Sequence, residues 1–171
     1  MVPTKTNEHD GGAAFEALVG QLNYPMFIVT TTSGGRQGGC LVGFASQVSI
    51  QPRRFLVGLS NKNHTYRLAE QAEHLAVHVL AARERDLARL FGEQTGDVTD
   101  KFAQCAWHPG PADLPILDDA AAWFSGRIVE RLPLGDHVAF LLESEAGRAA
   151  ADTGALITFG DVNGLDPGHQ A

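Results

Sequence analysis

A short polar loop, residues 60–65, carries the side chains whose types and spacing best suit the binding of an anion. Its sequence Ser-Asn-Lys-Asn-His-Thr supplies hydroxyl, amide and cationic donors. The residues that follow predict a helix that Thr65 caps and that runs through Glu73. Unpaired backbone N–H groups and the helix dipole favour a phosphate at such an end. An ordinary capped turn explains the same residues equally well, so both interpretations stay open.

His137 is a second candidate for chemistry. It follows Gly135-Asp136 at the predicted start of a strand, where an imidazole would be exposed and able to act. On these residues alone, the favoured interpretation is a turn in which Asp136 caps the backbone and His137 is a bystander.

The other histidines and the cysteines form no recognisable motif. His74 and His78 would lie on one face of a strand but too far apart to chelate easily, so core or edge positions are favoured. Cys40 and Cys105 are the two cysteines, and their separation leaves neither a CxxC pair nor a four-ligand zinc site. We expect reduced, buried thiols. No serine lies in a GxSxG elbow, and we predict no metal site.

The elements that must position these residues are mainly strands. Runs of β-branched and aromatic residues predict strands over 26–32, 40–50, 55–60, 74–80, 121–131, 138–143 and 155–159. Helical spacing predicts short helices over 15–22, 65–73 and 83–91. A long glycine-rich connection, 33–39, joins the first two strands, and 92–119 form a long proline-rich loop. This pattern favours an antiparallel barrel or sandwich with short flanking helices over repeated βαβ units.

Length and composition restrict the class of protein. The 171 residues are 44% hydrophobic and 19% charged, with a net charge of −7, as in one globular domain. The acidic balance disfavours nucleic acid as a partner. No apolar run is long enough to span a membrane, and without a secretory signal we expect a cytoplasmic location. We divide the chain into an N-terminal segment with a short helix (1–23), one domain (24–160) and a mobile tail (161–171).

The order of several weak motifs resembles a known family. The stretches YPMFIVTTT, GGRQGGCLVGFASQVSIQPRRFLVGLSNKNHTYRLAEQ, DKFAQCAWHPGP and LGDHVAFLLE are similar to those of the flavin reductase-like domain, the FMN-binding split β-barrel of short-chain NAD(P)H:flavin oxidoreductases. The resemblance covers residues 24–159. It implies a homodimer that holds FMN or FAD in a groove near the subunit boundary, with NADH or NADPH as hydride donor. A flavin-dependent monooxygenase is then an expected partner.

The resemblance also assigns roles to residues. His137 would lie beside the flavin and the nicotinamide, as the catalytic candidate, and Lys101 and Phe102 would approach the flavin from the long loop. The isoalloxazine and ribityl chain would be lined by Val42, Gly43, Phe44, Ala45, Ser46 and Gln47. The phosphate would be held by Ser60, Asn61, Lys62, Asn63 and Thr65.

One segment departs from the family pattern. Where many members carry a run of hydroxyl residues, this chain has Leu-Val-Gly-Phe-Ala at 41–45, so fewer side chains can donate to the flavin. Backbone amides would bind it instead, and Gly43 would let the backbone come close. Such a wall suits a flavin that is released as a substrate, or another flat cofactor such as a deazaflavin. A flavin carrier without reductase activity and a ligand-free structural barrel stay open as alternatives.

Overall fold

A seven-stranded antiparallel sheet carries the fold in the computed structural model, which describes residues 11–168. Across the sheet the strands follow the order β2 (Arg36–Val42), β1 (Phe27–Ser33), β5 (His74–Val79), β8 (Ala122–Pro133), β9 (His137–Arg148), β4 (Arg54–Ser60) and β3 (Ala45–Ser49). Two three-residue strands, β6 (Trp107–Pro109) and β7 (Pro115–Leu117), form a separate antiparallel ribbon. The mainly β antiparallel architecture predicted from the sequence is confirmed.

One hydrophobic core lies inside the curled sheet. Alternate residues of the strands point to it, as the two-residue period of a strand requires, and they include Val29, Val57, Val77 and Phe140, each fully buried. Cys40 of β2 and Val57 of β4 belong to the same cluster, although their strands are far apart in the strand order. The sheet therefore curls until its two sides share one interior.

A second core lies on the outer face of the sheet. Ile28 of β1 is covered there by helix α3 (Arg85–Glu93), the ribbon β6–β7 and the segment around Ile157. Phe91, Leu117 and Ile157 are buried beside it. The segment 92–119, predicted as a long loop, thus contains two strands and packs on the sheet. None of the helices within residues 11–168 combines the length and hydropathy that a bilayer-spanning segment requires.

The glycine-rich connection predicted between the first two strands is wrong in extent. The turn consists of Gly34 and Gly35, both with positive φ (57° and 73°), and β2 begins at the next residue. Gly38 and Gly39 lie inside β2. These positions need glycine, because a Cβ on Gly38 would stand 2.7 Å from a side-chain carbon of Leu68 and one on Gly39 would stand 2.7 Å from a ring carbon of Phe91. They permit close packing of the helices against the strand.

Several element boundaries also differ from the prediction. The single strand predicted over 40–50 is interrupted at 43–44 and forms β2 and β3. Helix α2 (His64–Ala69) is shorter than predicted and is capped by Asn63 rather than Thr65. The strand predicted over 155–159 is not continuous. Leu156 forms an isolated bridge with Ala81, and Thr158 forms one with Pro25.

The described residues begin with a helix and have another near their end. Helix α1 (Gly11–Val19) begins before the predicted stripe, and Phe15 and Leu18 on it are exposed. Helix α4 (Phe159–Val162) crosses the boundary drawn for the tail at 160/161, and Leu165 packs against the second core. The rest of the tail, 169–171, and residues 1–10 lie outside the described residues.

Candidate functional site

A cleft of about 300 Å³ opens between the end of β2 and the start of β9. Six of the residues assigned to a cofactor or to catalysis meet in it: Val42, Gly43, Phe44, Ser60, Asn63 and His137. The other lining residues are Tyr24, Met26, Leu41, Gly58, Leu59, Gly92, Phe159 and Pro167. The cleft thus joins side chains from β2, β4, β9 and the segments before β1 and after β9.

Two glycines let the neighbouring residues Tyr24 and Phe44 pack closely against the backbone of its floor. A Cβ on Gly43 would stand 2.5 Å from a ring carbon of Tyr24, and one on Gly58 would stand 3.1 Å from the Cβ of Phe44. The N–H of Gly58 donates to the carbonyl of Phe44 at 2.7 Å. Tyr24 in turn stacks on Phe159, with ring centroids 5.2 Å apart. Such a surface suits a planar ring system.

His137 stands at one end of this floor. Strand register places it opposite Ser60, and its ring lies 5.0 Å from that of Phe44. Its Nδ1 is 2.8 Å from an Asp136 carboxylate oxygen, and 20% of the side chain is exposed. The hydrogen bond from His137 holds the pKa of Asp136 below its ordinary value. An ionised Asp136 accepts a hydrogen bond from Nδ1–H of His137, and Nε2 is then the ring nitrogen that can meet a ligand.

The polar loop proves to be a capped turn whose ends differ in exposure. Asn63 accepts the N–H of Thr65 at 2.8 Å, and both side chains are buried. They also hydrogen-bond the thiol of Cys40, whose pKa is raised chiefly by burial. Asn61 and Lys62 are exposed, and Ser60 accepts the N–H of Lys62 at 3.4 Å. Within the predicted anion loop, Asn61 and Lys62 are therefore exposed, whereas Ser60 and Asn63 are buried residues at the wall of the cleft.

The remaining assigned residues do not line the cleft. Ala45, Ser46 and Gln47 lie on β3, where the Ser46 hydroxyl and the Gln47 amide donate to carbonyls of their own strand. Lys101 is turned inward, with 5% of its surface exposed, and its ammonium donates to the carbonyls of Gly39 (2.9 Å) and Phe91 (3.4 Å). Burial lowers the pKa of Lys101.

Phe102 is likewise a core residue. Its ring is buried and packs edge-on between those of Phe91 and Trp107. Both residues of the Lys-Phe pair line a second cavity, outside the cleft. In the structure described here, their direct contacts are with the protein interior rather than with the floor of the cleft.

Sequence reasoning missed several walls of the cleft. Tyr24 could have been predicted from the sequence. It is an aromatic residue directly before Pro25 and a strand, where the backbone is restricted and a large ring can pack in a fixed position. Phe159 and Pro167 carry none, since they fall at or beyond the end of the predicted domain and reach the cleft only through folding. Within residues 11–168, no three His, Cys, Asp or Glu side chains converge as a metal ion requires.

The comparison with protein families decides the family. The model of the flavin reductase-like domain matches residues 19–163, most of the chain. This chain belongs to the flavin reductase-like domain family. The matched range contains every assigned cofactor residue and His137, and it ends inside the segment that closes the cleft.

Relatives of this flavin reductase-like chain include named enzymes. It is 30% identical over 145 residues to the FMN reductase (NADH) RutF of Methylorubrum extorquens, covering 85% of this chain and 70% of that protein. It is 26% identical over 130 residues to the reductase component of the flavin-dependent trigonelline monooxygenase of Acinetobacter baylyi. That match covers 74% of this chain but only 41% of the relative.

A solved structure shows the same fold. The NADH:FAD oxidoreductase of Streptomyces globisporus C-1027 superposes on this flavin reductase-like chain with a TM-score of 0.76, covering 92% of each chain at 21% identity. At that identity the likeness concerns the fold alone.

Proposed function

We propose that this protein is a flavin reductase that transfers a hydride from NADH or NADPH to FMN or FAD. The observation that carries the proposal is the cleft itself, which brings Gly43, Phe44 and His137 together. The exposed residues Asn61 and Lys62 follow at the His137 end, where the Asn61 N–H donates to the carbonyl of Asp136. An isoalloxazine needs a planar, partly dry surface, and its phosphate needs cationic and N–H donors at some distance from it. The family and the NADH-dependent FMN reductase among its relatives support the same reaction.

Flavin, when bound, supplies the atom that accepts the hydride, so this chain has to position groups rather than form covalent bonds. Gly43 and Phe44 provide the surface against which the ring would lie, and Tyr24 with Phe159 shields one side from water. Lys62 offsets phosphate charge from the loop. His137 docks the nicotinamide or balances charge near the ring, and Asp136 keeps its imidazole oriented.

The missing hydroxyls bear on how firmly flavin is held. Residues 41–45 offer the cleft backbone groups and apolar side chains, and Thr65 and Asn63 are occupied inside the protein. With few side-chain donors left, we infer that flavin binds as an exchangeable substrate. Reduced flavin would then diffuse to a partner monooxygenase, the arrangement named for the relative from Acinetobacter baylyi.

We further propose that the protein is a cytoplasmic homodimer of split barrels. NADH and NADPH are available inside the cell, which places the reaction there. Phe44 borders the cleft with 59% of its surface exposed, and Val48 on the neighbouring edge strand β3 is 52% exposed. An apolar, unpaired edge of this kind suits coverage by a second copy, which would bring the partner close to the cleft.

The first test is an anaerobic absorbance scan of the purified protein with FMN, followed by NADH or NADPH. We expect bleaching of the flavin band well above the protein-free rate, and the faster donor identifies the nicotinamide. Flavin that binds but stays oxidised would contradict the reductase and support a carrier. Absence of binding would contradict both and leave a structural barrel.

The role of His137 is tested by His137→Ala against His108→Ala, an exposed histidine paired with Asp118 away from the cleft. We expect a loss of about 100-fold in the rate of FMN reduction for the first variant, at the lower end of the range for one charge-stabilising group, with flavin binding retained. The His108 variant should reduce FMN at the wild-type rate. An unchanged rate in His137→Ala would remove this residue from the mechanism.

A further inference from the structure

A groove at one end of the curled sheet is lined by aromatic rings and arginines. It consists of two adjoining hollows of about 430 and 230 Å³, which share Arg53, Phe124 and Ser144 as lining residues. The larger hollow alone is within the range of about 300–1,000 Å³ typical of small-molecule sites. Among residues 11–168, no residue lines both this surface and the cleft. We call it the arginine groove.

The arginine groove and the cleft lie at opposite ends of two strands. Strand β4 begins in the groove with Arg54 and ends in the cleft with Ser60. Strand β9 begins in the cleft with His137 and lines the groove with residues 144–148. At about 3.3 Å per residue, the start of that segment lies about 20 Å along the strand from His137. The groove is therefore a separate surface from the cleft.

Aromatic rings at the edge of the core form the apolar wall of the arginine groove. Phe55 and Phe124 pack against the core inside the sheet, and their rings meet edge-on with centroids 5.2 Å apart. Both rings are only partly buried, as is that of Trp123, which lines the larger hollow. Partly exposed rings offer faces and edges on which another ring can pack. The wall therefore suits a ligand with an aromatic body.

The arginine groove is cationic, although the chain as a whole has a net charge of −7. Arg53 is exposed, and its guanidinium forms neither an ion pair nor a hydrogen bond within residues 11–168. Arg148 donates to the carbonyl of Ala120 at 3.0 Å and pairs with no carboxylate in the same part of the chain. Both arginines line the larger hollow. Two guanidinium groups without an acidic partner favour an anion there.

The carboxylates beside the arginine groove are already paired. Glu145 lies 3.0 Å from Nε2 of His74 and 3.6 Å from Nε of Arg127. Glu143 lies 3.5 Å from Arg127 and 3.5 Å from the Nη2 atom of Arg54. The Nε of Arg54 is buried and has no hydrogen-bond partner in the described residues. A buried donor without an acceptor is unfavourable, so this arginine adds to the demand for an anion.

We propose that the arginine groove binds a small aromatic carboxylate. Its carboxylate would pair with Arg53 and Arg148, and its ring would pack on Phe124 and Trp123. The planar guanidinium of arginine matches a carboxylate through two parallel hydrogen bonds, which a point charge such as lysine cannot make. The proposed ligand is neither a flavin nor a nicotinamide. The inference therefore goes beyond the reductase reaction and does not depend on it.

Calorimetric titration of benzoate into the full chain tests this proposal. We expect saturable binding that Arg53→Ala weakens by about tenfold or more, the effect of losing one charge-assisted hydrogen bond. Arg53→Lys should recover only part of the affinity. Arg36→Ala, which removes an exposed arginine at the start of β2, should bind benzoate like the wild type. Absence of saturable binding, or equal affinity in Arg53→Ala and wild type, overturns the proposal.

Two further probes separate the contributions of the charge and the ring. Benzamide keeps the ring without the charge, and we expect it to bind about tenfold more weakly than benzoate. Cyclohexanecarboxylate keeps the charge without the aromatic ring, and its affinity should be lower by about threefold or more. Equal affinity for benzoate and benzamide would exclude the arginines as the anchor. Equal affinity for benzoate and cyclohexanecarboxylate would exclude a site for aromatic ligands.

A subunit contact is the competing occupant, because Gln47 of the edge strand β3 lines the smaller hollow. Ile50→Lys, which places a charge just beyond β3, separates the two. Benzoate binding by this variant but not by the wild type would assign the groove to the contact between copies and overturn the proposal.

FMN reduction distinguishes the arginine groove from the reductase site. Arg53→Ala should reduce FMN at the wild-type rate, since this residue lies outside the cleft. A loss of FMN reduction that parallels the loss of benzoate affinity would tie Arg53 to the cleft and overturn a separate site. If the wild type itself fails to reduce FMN, the proposed reductase function fails, and the benzoate titration still decides the groove.

Discussion

At the scale of single residues, Gly43 and Gly58 shape the cleft as much as any side chain. Neither position has a positive φ that would demand glycine. Glycine is needed at 43 because the Tyr24 ring occupies the space of a Cβ, and it is favoured at 58 because the Cβ and carbonyl oxygen of Phe44 lie close to where a Cβ would stand. Residues 41–45 depart from the hydroxyl-rich family pattern, and the structure shows what replaces the hydroxyl groups. In place of side-chain donors, the site has glycine backbone packed against neighbouring residues.

Gly43→Ala is expected to damage this floor. The added Cβ would displace Tyr24 and Met26, and we expect a loss of about 1–3 kcal/mol of unfolding free energy, as for other overpacked sites. Flavin affinity should fall with it. Urea denaturation measures the first effect and flavin fluorescence the second.

Gly164→Ala is the matched control, because no heavy atom lies within 4 Å of a Cβ built there. It should match the wild type in both measurements. Wild-type flavin affinity in Gly43→Ala would show that the isoalloxazine does not lie on this part of the wall.

At the scale of elements, the segment 92–119 is held to the sheet by buried polar contacts. The Thr30 hydroxyl donates to the carbonyl of Pro115 at 2.7 Å. His78 on β5 is one of the two histidines predicted at core or edge positions, and it is fully buried. Its ring links β1 to β7. Its Nδ1 lies 3.1 Å from the carbonyl of Ile28, and its Nε2 accepts the N–H of Leu117 at 3.1 Å. The imidazole is therefore neutral, with its proton on Nδ1.

This contact predicts an acid-sensitive fold. Burial is the chief cause that lowers the pKa of His78 from 6.5 to about 4. Since the unfolded chain takes up the proton first, stability is complete above pH 6.5 and falls as the pH drops toward 4. We expect a loss of about 3 kcal/mol across this window from His78, measured by urea denaturation at several pH values.

The same series on His78→Gln isolates the contribution of this residue. The variant should be less stable at pH 7 but should lose less on acidification. His108→Gln, at an exposed position, should retain the wild-type pH dependence. An identical acid slope in His78→Gln and wild type would assign the sensitivity to other groups.

At the scale of the whole molecule, the edge strand β3 is the surface that a homodimer would use. Among residues 11–168 its one strand neighbour is β4, and Val48 and Ile50 are 52% and 81% exposed at and just beyond it. Exposed apolar residues on an unpaired edge favour association. We expect a dimer by light scattering after size-exclusion chromatography.

Ile50→Lys should shift this dimer toward monomer, because a charge would be buried at the contact. Val98→Lys places the same charge on an equally exposed loop residue and should leave the dimer intact. A wild-type monomer, or a dimer unaffected by Ile50→Lys, would exclude β3 as the contact.

How far the sequence reaches can be judged from particular elements. Strands β1, β4, β5 and β8 begin within about two residues of the prediction, because alternation and β-branched residues act locally. The single strand predicted over 40–50 is interrupted at 43–44, where Gly43 packs against Tyr24, a residue distant in sequence. Helix α2 was predicted in place, but whether the loop before it is also an anion site remains a prediction.

By itself, the sequence determined a mainly β antiparallel chain, its family, and a short set of candidate residues. Those features follow from local periodicity, turn chemistry and the order of motifs along the chain. Only the tertiary structure decided which candidates meet: it gathers Tyr24, Gly43, His137 and Phe159 around one cleft and turns Lys101 inward to a second cavity. The physical reason is that burial and close packing join residues far apart in the chain, and no local pattern encodes the curl of the sheet that brings them together.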